Sequence, residues 1–408
     1  MKNSMLMTGN LAAAWGARLS RVDYIPAYPI TPQTEIIEAI AKWVRKGEMD
    51  AKMVQMDSEH SMLTAAGAAS LAGARVFTAT SSQGLLYGLE MLYNISGWRA
   101  PLVLINVARA LAAPITLEPD HNDVLAARDS GFLQFHAETC QEVLDLVILA
   151  YRVAEDSSVL LPAIVNLDGF YLSFTREKVT LPDERDVLKF LPDYNPPNSF
   201  RASRPVSKGA TVLNGSLYSY FKYHMHSSSL NAINVFEKAS ADFESIFGRD
   251  YSPVEPYMME DAEYVLVISN SFSTIAKQAV KRLRDNGFPA GLLKLRMVRP
   301  FPSSYVARYL SGRRGVAVFD QNISIGSGGI IYPEVLSALY HRRSRPQLIL
   351  PVIGGLGGKQ ITLDEIEKVF EATRNELASD SPEPLFLMRE DELERVTKTI
   401  SIAKEAGT

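Results

Sequence analysis

The sequence predicts an α/β protein made of two parallel-sheet domains. Two blocks of the chain alternate short apolar strands with amphipathic helices, and a long segment rich in proline, asparagine and serine separates them. The chain has 408 residues, which is enough for two or three domains. Hydrophobic residues make up 47% and charged residues 22% of the chain, which is typical of a globular protein with large cores.

The first block contains apolar strands with helical patterns between them. The predicted strands are residues 22–28, 52–56, 75–80, 102–107 and 159–167, and the predicted helices are residues 9–20, 33–46, 59–72, 84–96 and 140–155. Continuous apolar strands separated by helices of this length favour a parallel sheet covered on both faces. Ligands of such sheets bind at the carboxyl ends of the strands, so we expect the loops that follow the strands to share one edge.

The middle of the chain connects the two blocks. We assign residues 1–230 to the first domain. From residue 176 onward this domain is predicted to be a long connecting excursion without sustained periodicity. Residues 231–261 form a linker, and the spacing of apolar residues predicts an amphipathic helix over 231–248.

The second block, residues 262–375, repeats the alternation. Its predicted strands are residues 264–268, 291–295, 315–319 and 348–353, and its predicted helices are residues 273–286, 302–310, 331–342 and 362–377. Thr362 and Glu365 have the spacing of a capping box at the start of the last helix. We expect residues 376–408 to form a peripheral charged tail.

Charge and cysteine content exclude several classes of protein. The net charge is −4, with 42 basic and 46 acidic residues, so nothing indicates nucleic-acid binding or electrostatic attachment to a membrane. No apolar run has the length of a membrane span, and we expect a cytoplasmic protein. The single cysteine, Cys140, excludes a disulfide within the chain, and it excludes zinc–thiolate or iron–sulfur clusters held by this chain alone.

A stretch with two prolines, YPITPQTEI (residues 28–36), joins a predicted strand to a predicted helix. Pro32 suits the first helical position, and Thr31 suits the N-cap. A helix N-terminus that follows a strand is also a ready site for an anion. The stretch therefore predicts either a capped helix and no more, or an elbow that directs the Thr31 hydroxyl at a ligand.

Two charged residues lie where predicted strands end. Glu59 begins a helix rich in alanine and glycine, so it either complements the helix dipole or faces a flat ligand that the small residues admit. Arg109 follows a buried strand within an apolar loop, where an unpaired charge is costly. A planar carboxylate held through two hydrogen bonds suits it best, and this partner is either a structural aspartate or a substrate acid.

Three other stretches carry weaker signals. Residues 120–131 collect a histidine and several aspartates, which indicates either a metal site or, more often, a hydrogen-bonded ion-pair network. The glycine-rich segments 326–329 and 354–359 superficially resemble phosphate-binding loops, but the second departs from the P-loop spacing. Tight turns at strand ends explain both.

Several blocks in the same order resemble the α subunit of the thiamine-diphosphate-dependent 2-oxoacid:acceptor oxidoreductases, the pyruvate:ferredoxin oxidoreductase family. These blocks are YPITPQTEI, SEHSML…GAASLAGARVFTATSSQG and ARALAAPI…DHND…ARDSGFLQ in the first domain, and KLRMVRPFP, SIGSGG and GGLGGKQIT in the second. The resemblance covers most of residues 5–375. It implies a pyrimidine-type thiamine-diphosphate-binding domain followed by a transketolase C-terminal-like domain.

The resemblance also implies roles for individual residues. Glu59 would bond the aminopyrimidine ring of thiamine diphosphate and so control its tautomer. Thr31 and Arg109 would hold the substrate, with Arg109 on the 2-oxoacid carboxylate. The other residues placed at the pocket are Pro29, Ile30, Ser82 and Gln83 on the cofactor side and Ala108 on the substrate side.

Motifs that the chain lacks indicate partner subunits. It has no GDG…N signature for Mg²⁺ and diphosphate and no cysteine set for [4Fe-4S] clusters. In the family these belong to a β subunit and to a ferredoxin-like subunit, and a γ subunit completes the complex. The implied reaction converts a 2-oxoacid and CoA to acyl-CoA and CO₂ and passes two electrons to the clusters. The final acceptor, ferredoxin or NAD, stays open.

One departure from the family concerns the substrate. Pyruvate-using members generally carry Asn-Arg where this chain has Ala108 and Arg109. The loss of the amide adds apolar room, so we expect a bulky aromatic 2-oxoacid such as phenylglyoxylate, with pyruvate as the alternative. Two further hypotheses remain: a non-catalytic structural subunit of such a complex, and a transketolase-like or decarboxylating enzyme without electron transfer.

Overall fold

The computed structural model describes residues 3–379 and 381–406. The first domain consists of strands β1 to β8 and helices α1 to α9. In chain order they are β1 (Asn3–Thr8), α1 (Gly9–Leu19), β2 (Tyr24–Ala27), α2 (Thr34–Arg45), β3 (Lys52–Gln55), α3 (Glu59–Leu71), β4 (Phe77–Thr80), α4 (Ser82–Tyr87), α5 (Leu89–Gly97), β5 (Val103–Ala108), α6 (Asn122–Ala126), β6 (Leu133–His136), α7 (Cys140–Ala154), β7 (Ala163–Asp168), β8 (Arg176–Leu181), α8 (Glu184–Phe190) and α9 (Gly215–Phe247).

The second domain contains the remaining strands and helices. In chain order they are β9 (Val254–Tyr257), β10 (Tyr264–Ser269), α10 (Phe272–Asp285), β11 (Ala290–Leu295), β12 (Met297–Arg299), α11 (Ser303–Leu310), β13 (Gly315–Asp320), α12 (Ile331–Leu339), β14 (Leu348–Ile353), α13 (Leu363–Asn375), β15 (Leu385–Phe386) and α14 (Glu390–Ala406). Thr362 and Glu365 form the predicted capping box at the start of α13. No helix of the described residues is long and apolar enough to cross a membrane.

The central sheet of the first domain has the strand order β12–β6–β7–β5–β4. Strands β6, β7, β5 and β4 run parallel to one another, whereas the edge strand β12 is antiparallel to β6, and every residue of β5 and β7 is buried. β2 and β3 form a separate parallel pair, which a single bridge between Tyr24 and Val76 links to the region of β4. The parallel α/β fold is therefore confirmed. Strand β6, however, has no counterpart in the prediction, because its four residues follow a turn and are too short to show a pattern.

The second domain has a six-stranded sheet in the order β15–β14–β13–β10–β11–β9. All neighbouring strands are parallel except the edge strand β9, which runs antiparallel to β11. Strand β12 leaves this domain and pairs with β6, so that Met297 lies opposite Phe135 in the first sheet. The second domain thus contributes a strand to the sheet of the first domain, and Met297 of this strand packs into the core of the first domain.

The single excursion that the sequence predicts as irregular contains regular structure at both of its ends. The excursion predicted from residue 176 begins with β8, which pairs antiparallel with β1 because the exposed backbone groups of an edge strand need partners. The helix predicted over 231–248 begins earlier, at Gly215, where the Asn214 side chain caps it by accepting from the Ser216 N–H at 2.8 Å. Its buried face starts only at Ser228, so the preceding turns show no apolar period in the sequence.

The predicted charged tail also has structure. Strand β15 pairs with β14, with Leu385 opposite Val352, and Leu387 is buried in the core of the second domain. Helix α14 follows. The prediction of a purely peripheral tail from residue 376 is therefore wrong, because apolar residues 385–387 complete the edge of the sheet.

A cluster of buried charges joins the two domains. Lys294 on β11 is 2% exposed, and its ammonium group lies 2.6 Å from Glu138, 3.2 Å from Glu142 and 2.7 Å from Glu255. Arg296 also pairs with Glu142 and Glu255. Burial alone would raise the pKa of Glu142, but Lys294 and Arg296 outweigh it, and the pKa lies below its ordinary value.

We expect Lys294→Met to lower the free energy of unfolding by about 3–5 kcal/mol, because it leaves buried carboxylates without their central cation. Lys281→Met is the matched control, since Lys281 pairs with Asp285 at 2.9 Å on the exposed surface and its loss should change stability little. Urea denaturation of both variants measures the difference. Equal effects of the two substitutions would contradict the expectation that Lys294 stabilises the buried carboxylates more than a surface ion pair does.

Candidate active site

The carboxyl ends of β2, β3, β4 and β5 meet at one edge of the first domain, as predicted. The Arg109 guanidinium, after β5, donates through Nη1 to the Thr31 carbonyl at 3.2 Å, in the segment that follows β2. The Ser82 hydroxyl, after β4, donates to the Ala110 carbonyl at 2.9 Å. The edge therefore brings together the predicted site residues that lie far apart in sequence.

The elbow before α2 differs from its predicted form. The Gln33 N–H donates to the Ile30 carbonyl at 3.0 Å, and the Gln33 side chain donates to the Tyr28 carbonyl at 2.9 Å. Thr31 and Pro32, which are predicted to start the helix, belong to this turn instead. Helix α2 therefore begins at Thr34, with Gln33 at the N-cap. The prediction that Thr31 caps the helix is therefore wrong. Thr31 is exposed at the edge and is available to a ligand.

Pro29 and Ile30 lie beside Thr31 in the same turn. Pro29 is exposed and Ile30 is half-buried. The Pro32 carbonyl accepts from the Asn10 side chain at 2.9 Å, which fastens the turn to the buried helix α1. These contacts hold the exposed side of the turn at the open edge of the sheet.

Glu59 is the first residue of α3 and is only 6% exposed. Among the described residues, no protein donor makes a hydrogen bond to its carboxylate. The carboxylate lies against the backbone of Gly84: a Cβ at that position would come within 2.4 Å of Glu59 Oε1 and 2.6 Å of Thr80 Oγ1. The Thr80 hydroxyl is also buried without a partner. Because the Glu59 side chain is mostly buried and the described residues give its carboxylate no donor, the carboxylate is suited to a donor from a ligand.

Arg109 is half-buried and is held by two carbonyl groups. Besides Thr31, it donates through Nε to the Thr116 carbonyl at 2.9 Å. No carboxylate of the described residues lies within ion-pair distance of the Arg109 guanidinium. The structure therefore does not support the alternative in which a structural aspartate is its partner. Ile115 and Leu117, 76% and 45% exposed, form an apolar rim in the same loop. The guanidinium therefore keeps donors for an external carboxylate beside an apolar rim.

The remaining predicted residues differ in their access to the edge. Gln83 is half-buried at the start of α4, whereas Ser82 is wholly buried and its N–H donates to Asp123 Oδ2 at 3.0 Å. Ala108, the last residue of β5, is also wholly buried. The structure thus brings Gln83 to the edge, while Ser82 and Ala108 support it from beneath.

Asp123 is a site residue whose role the sequence did not indicate. Its Oδ2 accepts from the Ser82 N–H at 3.0 Å, the Asn106 side chain at 3.1 Å and the Arg109 N–H at 3.1 Å. Burial raises the pKa of Asp123 to about 6, against the lowering effect of these hydrogen bonds. One signal could have found it: Asn106 lies inside an otherwise apolar strand and therefore needs a buried polar partner.

The neighbouring residues form a hydrogen-bonded network at the junction of the two domains. His121 donates through Nε2 to Asp168 Oδ1 at 2.8 Å, and Asp168 Oδ1 also accepts from the Asn270 side chain at 2.9 Å. Burial opposes charge on His121, but Asp168 outweighs it and raises the histidine pKa. Within residues 3–379 and 381–406, no group of histidine, cysteine, aspartate and glutamate has the arrangement of a metal site. The network alternative for residues 120–131 therefore fits the structure.

The glycine-rich turn at 354–359 also lies at the domain junction. The Gly358 N–H donates to the Pro119 carbonyl at 2.8 Å, and the Tyr171 hydroxyl donates to the Gly358 carbonyl. Gly355 has a φ of 73° and Gly358 a φ of 78°, values that favour glycine. The turn thus packs against the first domain as an ordered connection.

Comparison with protein families identifies both domains. Residues 15–244 match the thiamine-diphosphate-binding domain of pyruvate flavodoxin/ferredoxin oxidoreductases. Residues 262–366 match core domain II of pyruvate:ferredoxin oxidoreductase. The two matches follow the order of the two sheets.

Individual relatives agree with these domains. The chain is 41% identical over 370 residues to pyruvate synthase subunit PorA of Methanothermobacter thermautotrophicus, covering 91% of this chain and 95% of the relative. It is 39% identical over 368 residues to ketoisovalerate oxidoreductase subunit VorA of Pyrococcus horikoshii, covering 90% of this chain and 92% of the relative.

A solved structure shares the fold. A 2-oxoglutarate:ferredoxin oxidoreductase from Magnetococcus marinus superimposes with a TM-score of 0.68 at 19% identity, over 92% of this chain and 66% of that one. A split-gene transketolase aligns with a TM-score of 0.53 at 11% identity. These likenesses concern the fold alone.

The fold and the matched domains define a thiamine-diphosphate-dependent oxidoreductase of 2-oxoacids. The chain belongs to the pyruvate:ferredoxin oxidoreductase family, as an α-type subunit. The residues present fit the cofactor: the Glu59 carboxylate, for which the described residues supply no donor, would accept from the ring N–H that an aminopyrimidine carries in its imino tautomer, and the missing side chain of Gly84 lets this carboxylate lie against the backbone. The resemblance seen in the sequence is thus confirmed at the level of the family.

Proposed function

We propose that this chain is the α subunit of a CoA-acylating 2-oxoacid:ferredoxin oxidoreductase. The reaction would convert a 2-oxoacid anion and CoA to acyl-CoA, CO₂, a proton and two electrons. The observation that carries the proposal is the Glu59 carboxylate, buried against Gly84 without a protein donor, at the edge where Arg109 also lacks a carboxylate partner. A structural subunit would have no reason to keep both groups unpaired at one edge.

The residues at the edge would bind either the cofactor or the substrate. Thiamine diphosphate, when bound, supplies the carbanion chemistry of decarboxylation. Glu59 would accept a hydrogen bond from its aminopyrimidine ring, with Pro29, Ile30, Ser82 and Gln83 shaping that side of the pocket. Arg109 would hold the substrate carboxylate through two hydrogen bonds, and the exposed Thr31 hydroxyl would donate to the same substrate.

The substrate that we propose first is pyruvate. The expectation of an aromatic 2-oxoacid depends on Ala108, whose side chain is wholly buried and adds no open room beside Arg109. The relatives named above act, by their names, on pyruvate and on ketoisovalerate. The apolar rim of Ile115 and Leu117 favours an aliphatic or larger apolar substituent, which keeps phenylglyoxylate as the second candidate.

Other subunits would complete the active site and the electron path. The one cysteine, Cys140, is wholly buried, so [4Fe-4S] clusters would belong to a ferredoxin-like partner. A β subunit would hold Mg²⁺ and the diphosphate, and a γ subunit would complete the complex. Ferredoxin rather than NAD would receive the electrons, in keeping with the names of the matched domains. A cytoplasmic location stays a prediction.

Steady-state kinetics of the natively purified complex test this proposal. We expect CoA-dependent reduction of ferredoxin or a low-potential dye, with kcat/KM for pyruvate at least about 10-fold above that for phenylglyoxylate, since a mismatched substituent costs this much in an apolar pocket. Ketoisovalerate serves as the intermediate-sized control. A reversed order would restore the aromatic substrate. Turnover without CoA or without an electron acceptor would favour the simple decarboxylase instead.

A further inference from the structure

A short segment between the two domains contacts the second domain at several points. This bridge segment, residues 118–124, pairs with the second domain mainly through its backbone: the Pro119 carbonyl accepts from Gly358, and the His121 N–H donates to the Gln321 carbonyl at 2.8 Å. The Asn122 side chain accepts from the Ile323 N–H at 2.9 Å. The second domain therefore determines where this segment lies.

The opposite side of the bridge segment faces the candidate active site. Asp123 is wholly buried, and its Oδ2 accepts from the N–H groups of Ser82 and Arg109 and from the Asn106 side chain, at 3.0 to 3.1 Å. These donors come from the ends of β4 and β5. One carboxylate oxygen thus ties the Ser82 loop, on the proposed cofactor side of the edge, to the Arg109 loop on its substrate side.

The hydrogen bond to the Arg109 N–H has a particular consequence. Among the described residues, the guanidinium itself is held by two carbonyl groups, those of Thr31 and Thr116. If the Arg109 backbone shifts, the guanidinium shifts relative to Thr31. A displacement of about 1 Å at a substrate-binding group can cost a large factor in rate. A shift of Asp123 would therefore also move the Arg109 guanidinium, which is proposed to bind the substrate carboxylate.

We propose that Asp123 is a positioning residue through which the second domain, by way of the bridge segment, sets the position of Arg109 and the Ser82 loop. This inference rests on the proposed function, because it assigns Arg109 to the 2-oxoacid. Asp123 itself touches no substrate in this arrangement. Its effect is on substrate binding and not on the chemistry that Glu59 supports.

Two variants interrupt the bridge segment at its two sides. Asp123→Asn keeps the shape, but its amide presents an NH₂ group either to the three donors at Oδ2 or to the Val124 N–H, which donates to Oδ1 at 2.6 Å. Asn122→Ala removes the acceptor for Ile323 on the side of the second domain and leaves Asp123 in place. Asp129→Asn is the control, since Asp129 is exposed in the same loop and its carboxylate lies 3.8 Å from Arg128 at the surface.

We expect both variants to raise KM for the 2-oxoacid about 10-fold in the intact complex while kcat falls less than about 3-fold, since binding geometry changes and the Glu59 chemistry does not. The control should leave both constants unchanged. Hydrogen exchange should rise in residues 80–88 and 103–117 of both variants, and stay unchanged in α7. A fall in kcat with unchanged KM, or unaltered exchange in these loops, would overturn the inference.

The exchange measurement distinguishes a failure of the bridge segment from a failure of the proposed function. If the wild-type complex turns over no 2-oxoacid, the proposed function fails, yet exchange still shows whether Asp123 and Asn122 hold the loops. If the complex is active and the loops are unaffected by either variant, the bridge fails and the proposed function stands. Should Asp123→Asn not fold, the more exposed Asn122→Ala decides the question.

Discussion

Replacing Glu59 by glutamine should lower kcat of the intact complex by at least about 100-fold, with little change in KM for the 2-oxoacid. Glutamine has the same shape, so the packing against Gly84 is kept. The amide is a weaker acceptor than a carboxylate and carries no charge to favour the needed tautomer of the aminopyrimidine. Steady-state assays under saturating thiamine diphosphate and CoA measure the effect.

The control for this variant is Glu38→Gln. Glu38 is an exposed glutamate on α2, and its neutralisation should leave kcat within about 2-fold of wild type, since surface substitutions away from functional features have small effects. Circular dichroism of both variants checks that the fold is intact. Full activity of Glu59→Gln would favour the hypothesis of a non-catalytic subunit.

Replacing Arg109 by lysine should raise KM for the 2-oxoacid about 10- to 100-fold. Lysine keeps the positive charge but loses the planar pair of donors that a carboxylate accepts side by side. It also cannot donate to the Thr31 and Thr116 carbonyls and the substrate in the same geometry. Initial rates over a range of 2-oxoacid concentrations separate KM from kcat.

Arg45→Lys is the matched control for this second variant. Arg45 is exposed at the end of α2, away from the edge that holds Thr31, and its replacement should leave KM unchanged. KM for CoA should also stay the same in Arg109→Lys, because Arg109 is assigned to the 2-oxoacid alone. A rise in KM for CoA with no change for the 2-oxoacid would move Arg109 to a different ligand.

Much of the fold could be predicted from local patterns. Continuous apolar strands such as β5 and β7 are buried on both faces, and the sequence between them has a helical period, so the parallel sheet and its ligand-binding edge are predictable. Glu59 and Arg109 could be selected for the same reason, since each follows a strand and breaks an otherwise small or apolar context.

The rest depends on contacts between residues that are distant in sequence. Strand β12 pairs across the domain junction with β6, and nothing in the local sequence of either segment predicts this pairing. Asp123 acquires its role only when β4 and β5 bring Ser82 and Arg109 to it. The proline pattern wrongly predicts Thr31 at the N-cap, because the side chain of Gln33 stabilises a competing turn.

The central claim is that this chain supplies one half of a shared active site. Its most direct test is 2-oxoacid- and CoA-dependent electron transfer by three preparations: this chain alone, the partner subunits alone, and the two mixed with thiamine diphosphate and Mg²⁺. Turnover should occur only in the mixture and should fall at least about 100-fold when the chain carries Glu59→Gln. Full turnover by the partners alone, or by the mixture with Glu59→Gln, would contradict the claim.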